Sequence, residues 1–171
     1  MTDQDRNKAW GFALFGDDVR AEVGGKLSLM GMYQAELFLP DTIPLPTVIP
    51  KFVILISYYE IRGALQEDIS FKITYGADND PLMEIPISRK EILSEQAQGT
   101  FTPDGASENV ERIFGMRLPL ALTPFVVSKL GRLRVRAHYS DGKILRLGTM
   151  AIRQVPEVEF QNMLGVIPPG K

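Results

Sequence analysis

Histidine, cysteine and paired carboxylates perform much of enzyme catalysis, and this chain is poor in the first two. It contains one histidine, His138, and no cysteine, which excludes disulfides, thiolate catalysis and cysteine-based zinc sites. No serine, carboxylate or second histidine accompanies His138 at a motif spacing, and the chain has no nucleophile elbow, phosphate-binding loop or dinucleotide fingerprint. We therefore predict a surface histidine, and a protein without catalytic residues or a cofactor.

Two short acidic segments could supply oxygen ligands to a metal. Asp17 and Asp18 follow the first predicted strand, and Asp78 and Asp80 lie in a later predicted turn. Calcium prefers carboxylate and carbonyl oxygens, and C2-like sandwiches gather such ligands from loop aspartates. Aspartate is also an ordinary turn residue because it hydrogen-bonds its own backbone. We favour turns here, and we keep a metal site on these four aspartates, or a carboxylate-based or metal-dependent enzyme, as the alternative.

Basic residues are concentrated in the last third of the chain. Residues 124–153 hold seven basic residues and one acidic residue, a net charge of +6, whereas the rest of the chain carries −8. Arg132, Arg134 and Arg136 alternate with apolar residues and so project from one face of one predicted strand, and Arg146 can join them from the next strand.

Such a row of like charges calls for an acidic partner. We favour an internal partner, another strand of the same chain such as one bearing Glu60 or Glu36, and the alternative is a different molecule. A nucleic acid is the less favoured external partner, because no aromatic residues interleave with the arginines.

The elements that position these residues are predicted from a dominant period of two. Phe71, Ile73 and Tyr75 alternate with polar residues, as do Leu133 and Val135, so each run buries one face of a strand. Short strands, frequent turn signals and no long helical pattern predict an all-β fold, an antiparallel β-sandwich of the immunoglobulin-like or C2-like kind. We place about eight strands, at residues 10–15, 27–38, 51–61, 69–75, 82–88, 113–122, 132–139 and 144–152.

Three local features refine this arrangement. The continuous apolar run Phe52–Ile56 predicts a central strand covered on both sides. Pro119 lies within a strand pattern and cannot donate a ladder hydrogen bond, so its strand is an edge or bulges there. Asp141-Gly142 predicts a hairpin turn. Residues 89–112 become polar and rich in Gly and Pro, which predicts one long polar loop that is mobile over 94–110.

Length and composition indicate a single domain. The 171 residues are 44% hydrophobic and 23% charged, which can fill one core, and the net charge of −2 argues against a general polyanion binder. We predict a flexible tail at 1–8, a sandwich domain at 9–154 and a C-terminal extension at 155–171. The N-terminus lacks an apolar signal core, and no apolar stretch approaches the roughly 20 residues that span a bilayer, so we expect a cytoplasmic protein or a particle component made in a cytoplasm.

Two segments carry a family resemblance. The stretch Phe12–Arg20, which ends in Asp17-Asp18-Val19-Arg20, continues into Gly24–Tyr33 with Gly25-Lys26-Leu27-Ser28-Leu29, and Gly131–Gly142 lies near the other end. Together they resemble a family of small bacterial and phage-borne proteins that is known as a domain of unknown function. The resemblance implies no activity, substrate or cofactor. We expect a non-catalytic interaction or assembly module, part of a bacterial or phage-associated complex, that binds an acidic protein surface or a second copy of itself.

Overall fold

The computed structural model describes residues 9–61, 68–76, 80–90 and 113–165. Strands dominate these residues, as the alternating sequence pattern predicts, and one short helix follows the last strand. In chain order the strands are β1 (Ala9–Gly16), β2 (Asp18–Ala21), β3 (Leu27–Met30), β4 (Glu36–Pro40), β5 (Thr47–Ile49), β6 (Phe52–Ile61), β7 (Ile69–Tyr75), β8 (Asp80–Ile87), β9 (Ile113–Leu122), β10 (Phe125–Val127), β11 (Gly131–Tyr139) and β12 (Ile144–Val155), and the helix is α1 (Glu157–Met163).

Two sheets pack face to face and enclose the core. The larger sheet has the strand order β4-β12-β11-β7-β8 and the smaller has the order β1-β6-β9, while β2-β3 and β5-β10 form separate two-stranded sheets. Tyr58 of β6 meets Phe71 of β7 edge to face across the core, with 5.8 Å between the ring centroids. Leu133, Val135 and Ala137 of β11 are fully buried between the sheets. The predicted all-β sandwich is therefore confirmed.

Several local predictions hold. β6 is the central strand of the smaller sheet, and Phe52–Ile56 is buried throughout. β9, which contains Pro119, pairs with β6 alone among the described strands and is an edge of its sheet. Gly142 adopts a positive φ of 85° in the turn between β11 and β12, a conformation that glycine reaches without steric cost. The predicted hairpin therefore forms where the sequence places it.

The strand predicted at 27–38 is wrong as a single element. β3 ends at Met30, and the next residue, Gly31, has a φ of +59° that interrupts the extended backbone. The backbone N–H of Tyr33 then donates to the carbonyl of Phe15 at 2.9 Å. β3 therefore stays with β2, and β4 crosses to the larger sheet. Together with the short strands β2, β5 and β10, this break raises the number of strands from about eight to twelve in the described residues.

The larger sheet also departs from a purely antiparallel arrangement. β4 runs parallel to β12, with Glu36 beside Ala151 and Phe38 beside Arg153. β12 continues through Val155, so the predicted domain boundary at 154 falls inside a strand, and α1 follows directly. Thr42 Oγ1 donates to Glu157 Oε2 at 2.8 Å, which ties the start of α1 to the segment that follows β4.

Some sequence predictions concern residues that the structure does not describe. These are the tail at 1–8, most of the predicted loop at 89–112, and the residues beyond 165. Within the described ranges, no helix has the length and apolar character needed to cross a membrane.

Candidate binding face

The arginine row lies along the middle strand of the larger sheet. Alternation along β11 buries Leu133 and Val135 in the core and turns the arginines to the outer surface. Arg146 of β12 stands opposite Arg136, as a neighbour on the same face. We call the four residues Arg132, Arg134, Arg136 and Arg146 the arginine face. At the usual rise of a strand, the three on β11 span about 13 Å.

The described residues supply no acidic partner to the arginine face. Across the described part of the chain, none of its four guanidinium groups forms an ion pair with an acidic side chain. Further like charge surrounds it, because Arg136 stands opposite Lys72 on β7 as well as opposite Arg146 on β12. Like charges on directly opposed strand positions destabilise a sheet by a few tenths of a kcal/mol, up to about 1 kcal/mol.

Arg134 also forms a hydrogen bond to the backbone of its own domain. Its Nη1 donates a hydrogen bond to the carbonyl of Gly76 at 2.8 Å, just after the end of β7. The side chain is half-buried, whereas Arg132 and Arg146 are exposed. Arg134 therefore helps to hold the end of β7, and a test of binding should leave it in place.

The acids predicted as internal partners are engaged elsewhere. Glu36 Oε1 lies 2.9 Å from Arg153 Nη2. Glu60 is fully buried on the inner face of β6, where it pairs with Arg89. The internal alternative is therefore wrong for both glutamates. Glu84 also borders the outer face, but it lies 3.2 Å from Lys72 Nζ and accepts a hydrogen bond from Ser70 Oγ at 2.6 Å.

His138 extends the row on β11 without adding a full charge. It faces outward opposite Ser70, as the sequence predicts. Partial burial lowers its pKa below the ordinary 6.5, and the positive charges of Lys72 and Arg136 lower it further, while Glu84 acts in the opposite direction. The imidazole is therefore neutral at pH 7, and the face owes its charge to arginine and lysine.

The acidic segments take part in local structure. Asp17 accepts a hydrogen bond from the hydroxyl of Tyr33, and burial together with this bond raises the pKa of Tyr33. Asp18 Oδ1 lies 2.6 Å from Lys51 Nζ, and this contact, with a weaker one from Arg20, holds the pKa of Asp18 below its usual value.

The metal alternative receives no further ligands from the described ranges. No group of three or more histidine, aspartate or glutamate side chains that could hold a metal occurs there. Asp78 lies outside the described residues, and of Asp80 only the backbone, at the start of β8, is described. A metal site on Asp17, Asp18, Asp78 and Asp80 stays a prediction.

Sequence reasoning missed the surroundings of the arginine face. Arg153 lies next to it on β12, the neighbour of β11. Phe38 lies beside Arg153 because β4 pairs in parallel with β12, a contact between strands more than a hundred residues apart. Neither residue belongs to a motif. The only sequence signal was the outward phase of Arg153 in the alternation along β12.

Comparison with known protein families, curated proteins and solved structures finds no match to this chain. The resemblance to a bacterial and phage-borne family, like the finer choice between an immunoglobulin-like and a C2-like sandwich, therefore stays a prediction.

Proposed function

We propose that this protein is a binding module whose arginine face docks an acidic segment of another protein. The observation that carries the proposal is the set of four guanidinium groups without an acidic partner in the described residues, arranged on adjacent strands of a rigid sheet. Arginine presents a planar fork of donors that matches carboxylates in two-point geometry.

The energetics favour an external anion. Placing Arg136 between Lys72 and Arg146 costs stability in the free protein, and Glu84, which contacts Lys72, offsets only part of this repulsion. An acidic ligand would relieve it and gain ion pairs at the same time. The face is also preorganised, because β11 is hydrogen-bonded on both sides, so little ordering of the backbone opposes binding.

The chemistry of the flanking positions favours a protein segment over a nucleic acid. Outward positions on β7 and β12 beside the row hold Thr74, Lys72 and Thr149, and none of them offers an aromatic ring on which a base could stack. The ring of Phe38 lies two strands away from the row, on β4, and is half-buried. An extended acidic segment needs no stacking platform, since its carboxylates recur about every 7 Å on one face.

The test uses a fluorescently labelled peptide of twelve glutamates as the probe. The variant combines Arg132→Ser, Arg136→Ser and Arg146→Ser and leaves Arg134 intact. We expect the peptide to bind the parent, to weaken as salt is raised from 50 to 300 mM, and to bind the variant about tenfold or more weakly. Thermal stability should stay equal or rise slightly, because repulsion is removed.

The matched control removes three basic residues from other surfaces, by Lys26→Ser, Lys90→Ser and Arg117→Ser, all at exposed positions. It has the same net charge as the first variant and should keep affinity within about threefold of the parent. Equal losses in the two variants would mean that the peptide senses overall charge, and the proposal would be wrong.

A further inference from the structure

An open groove of about 580 Å³ adjoins the arginine face on the outer surface of the larger sheet. β4 and the segment before it form one side, Arg132 of β11 lies on the other, and β12 forms the floor. Its principal lining residues are Met32, Phe38, Arg132, Thr149, Ala151 and Arg153.

The groove exists because small side chains separate large ones. Thr149 and Ala151 are successive outward positions on β12, and Ala151 stands between Arg132 of β11 and Glu36 of β4. The larger neighbours rise above this floor. A depression of this kind admits a side chain from a ligand, whereas the rest of the arginine face offers charge alone.

Contacts of Tyr33 with the core fix the position of the apolar side of the groove. Met32 is 56% exposed at its rim, and Phe38 is half-buried. Between them in sequence, Tyr33 is anchored by its backbone N–H to Phe15, and its ring lies 5.9 Å from that of Phe52 in the core. This side is therefore preorganised, and a ligand would not have to order it.

Two cations border the same depression. Arg132 forms no ion pair with an acid of the described residues, and Arg153 is paired with Glu36 in a contact that leaves the arginine side chain 58% exposed. Exposed pairs of this kind contribute about 0–1 kcal/mol, so a ligand carboxylate can compete for Arg153. Arg132 and Arg153 are diagonal neighbours on adjacent strands, about 7–8 Å apart at their backbones.

From this arrangement we infer that the groove takes an apolar side chain, preferentially aromatic, from an acidic segment whose flanking carboxylates bind Arg132 and Arg153. The inference rests on the proposed function and deepens it, because it adds a specificity element to a surface that otherwise reads charge. Phe38 and Met32 supply the apolar contact, and the arginines orient the chain on either side.

The test is an NMR titration of the full chain, labelled with ¹⁵N, with two acetylated and amidated peptides. One is eleven glutamates, and the other is the same peptide with phenylalanine at its centre. We expect the second to bind about tenfold more tightly, which corresponds to partial burial of one aromatic side chain, and to shift the amides of Phe38 and Ala151 in addition to those of the arginine row.

Filling the groove should remove the preference. Ala151→Phe should abolish the tenfold difference and leave the affinity for the all-glutamate peptide within about twofold of the parent. The matched control Ala121→Phe places the same ring on an exposed position of β9 and should change neither affinity. If Ala151→Phe does not fold, Phe38→Ala replaces it, with the same expected loss of preference.

The outcomes separate the two proposals. Equal affinities for the two peptides, with shifts confined to the arginine row, would overturn the groove and leave the proposed function standing. No shift at Arg132 or Arg136 with either peptide would overturn both. A twelve-residue oligothymidylate that bound the same residues more tightly than both peptides would replace the acidic protein segment by a nucleic acid.

Discussion

Glu60 lies fully buried at the inner face of β6, in a small polar network within the core. Tyr58 Oη donates to Glu60 Oε2 at 2.9 Å and lies 3.3 Å from the hydroxyl of Tyr139, and Arg89 supplies the counter-charge. Burial, together with the hydrogen bond to Tyr139, raises the pKa of Tyr58, so this phenol stays protonated. The network joins Arg89, two residues after the end of β8, to the smaller sheet.

Breaking this pair should be costly. Glu60→Leu leaves the largely buried Arg89 without an anion and is expected to lower the free energy of unfolding by about 3–5 kcal/mol. The double variant Glu60→Leu with Arg89→Leu should be less destabilised than the single one. Urea unfolding measures both, and Glu84→Leu, which removes an exposed acid, serves as the control and should cost about 1 kcal/mol or less. The single variant Arg89→Leu completes the comparison, and a double variant whose cost equals the sum of the two single costs would show that the pair is not coupled.

His138 should make stability depend on pH near neutrality. Because its pKa is lower in the folded chain than the ordinary 6.5, the unfolded chain binds the proton more readily. The free energy of unfolding should therefore decrease as pH falls through about 6.5, and this contribution should level off below the folded pKa.

Urea unfolding at pH 7.5 and pH 5.5 tests this, with His138→Asn as the comparison. The parent should lose more stability than the variant between the two pH values, since the charged imidazole is then partly desolvated and is also repelled by Lys72 and Arg136. An equal loss in both proteins would mean that other groups account for the whole pH dependence.

β11 serves the core with one face and the surface with the other. Val135 is fully buried and paired with Ile73 on β7 and Gly148 on β12, so it has no route to water. Gly148 lets the sheets approach closely, because an added Cβ there would lie 3.0 Å from the Cβ of Ala13.

Val135→Asp is expected to unfold the domain or to cost more than about 4 kcal/mol, because a carboxylate would be buried without a partner. Thr149→Asp adds the same carboxylate at an exposed position opposite Arg134 and should change stability by less than about 1 kcal/mol. Thermal and urea unfolding compare the two. A Val135→Asp variant that melted within a few degrees of the parent would contradict the assignment of the buried face.

At the scale of the molecule, the two outer surfaces of the sandwich differ in character. The larger sheet presents arginine and lysine, whereas the outward positions of the smaller sheet are mainly apolar, with Trp10 41% and Phe12 44% exposed. Among these outward positions of β1, β6 and β9, one residue is charged, Arg117. The +6 segment at 124–153 therefore becomes a localised surface charge, since β11 and β12 lie side by side.

Alternation in the sequence was sufficient to determine which residues of β7, β9 and β11 face inward, because successive side chains on a strand must point to opposite faces. It also determined the outward row of arginines, while the continuous apolar run Phe52–Ile56 determined the central position of β6. Local chemistry further identified the hairpin at Gly142 and the edge strand containing Pro119.

The tertiary structure alone decided which strands share a sheet. The parallel pairing of β4 with β12 and the ion pair between Glu60 and Arg89 join segments distant in sequence. The break at Gly31 separates β3, which pairs with β2, from β4, which pairs with β12. Such pairings are selected by the packing of the whole core, and no local pattern encodes them. For that reason the sequence could predict the arginine face, but the groove beside it and the absence of described acidic partners for its arginines emerged only when the sheets were assembled.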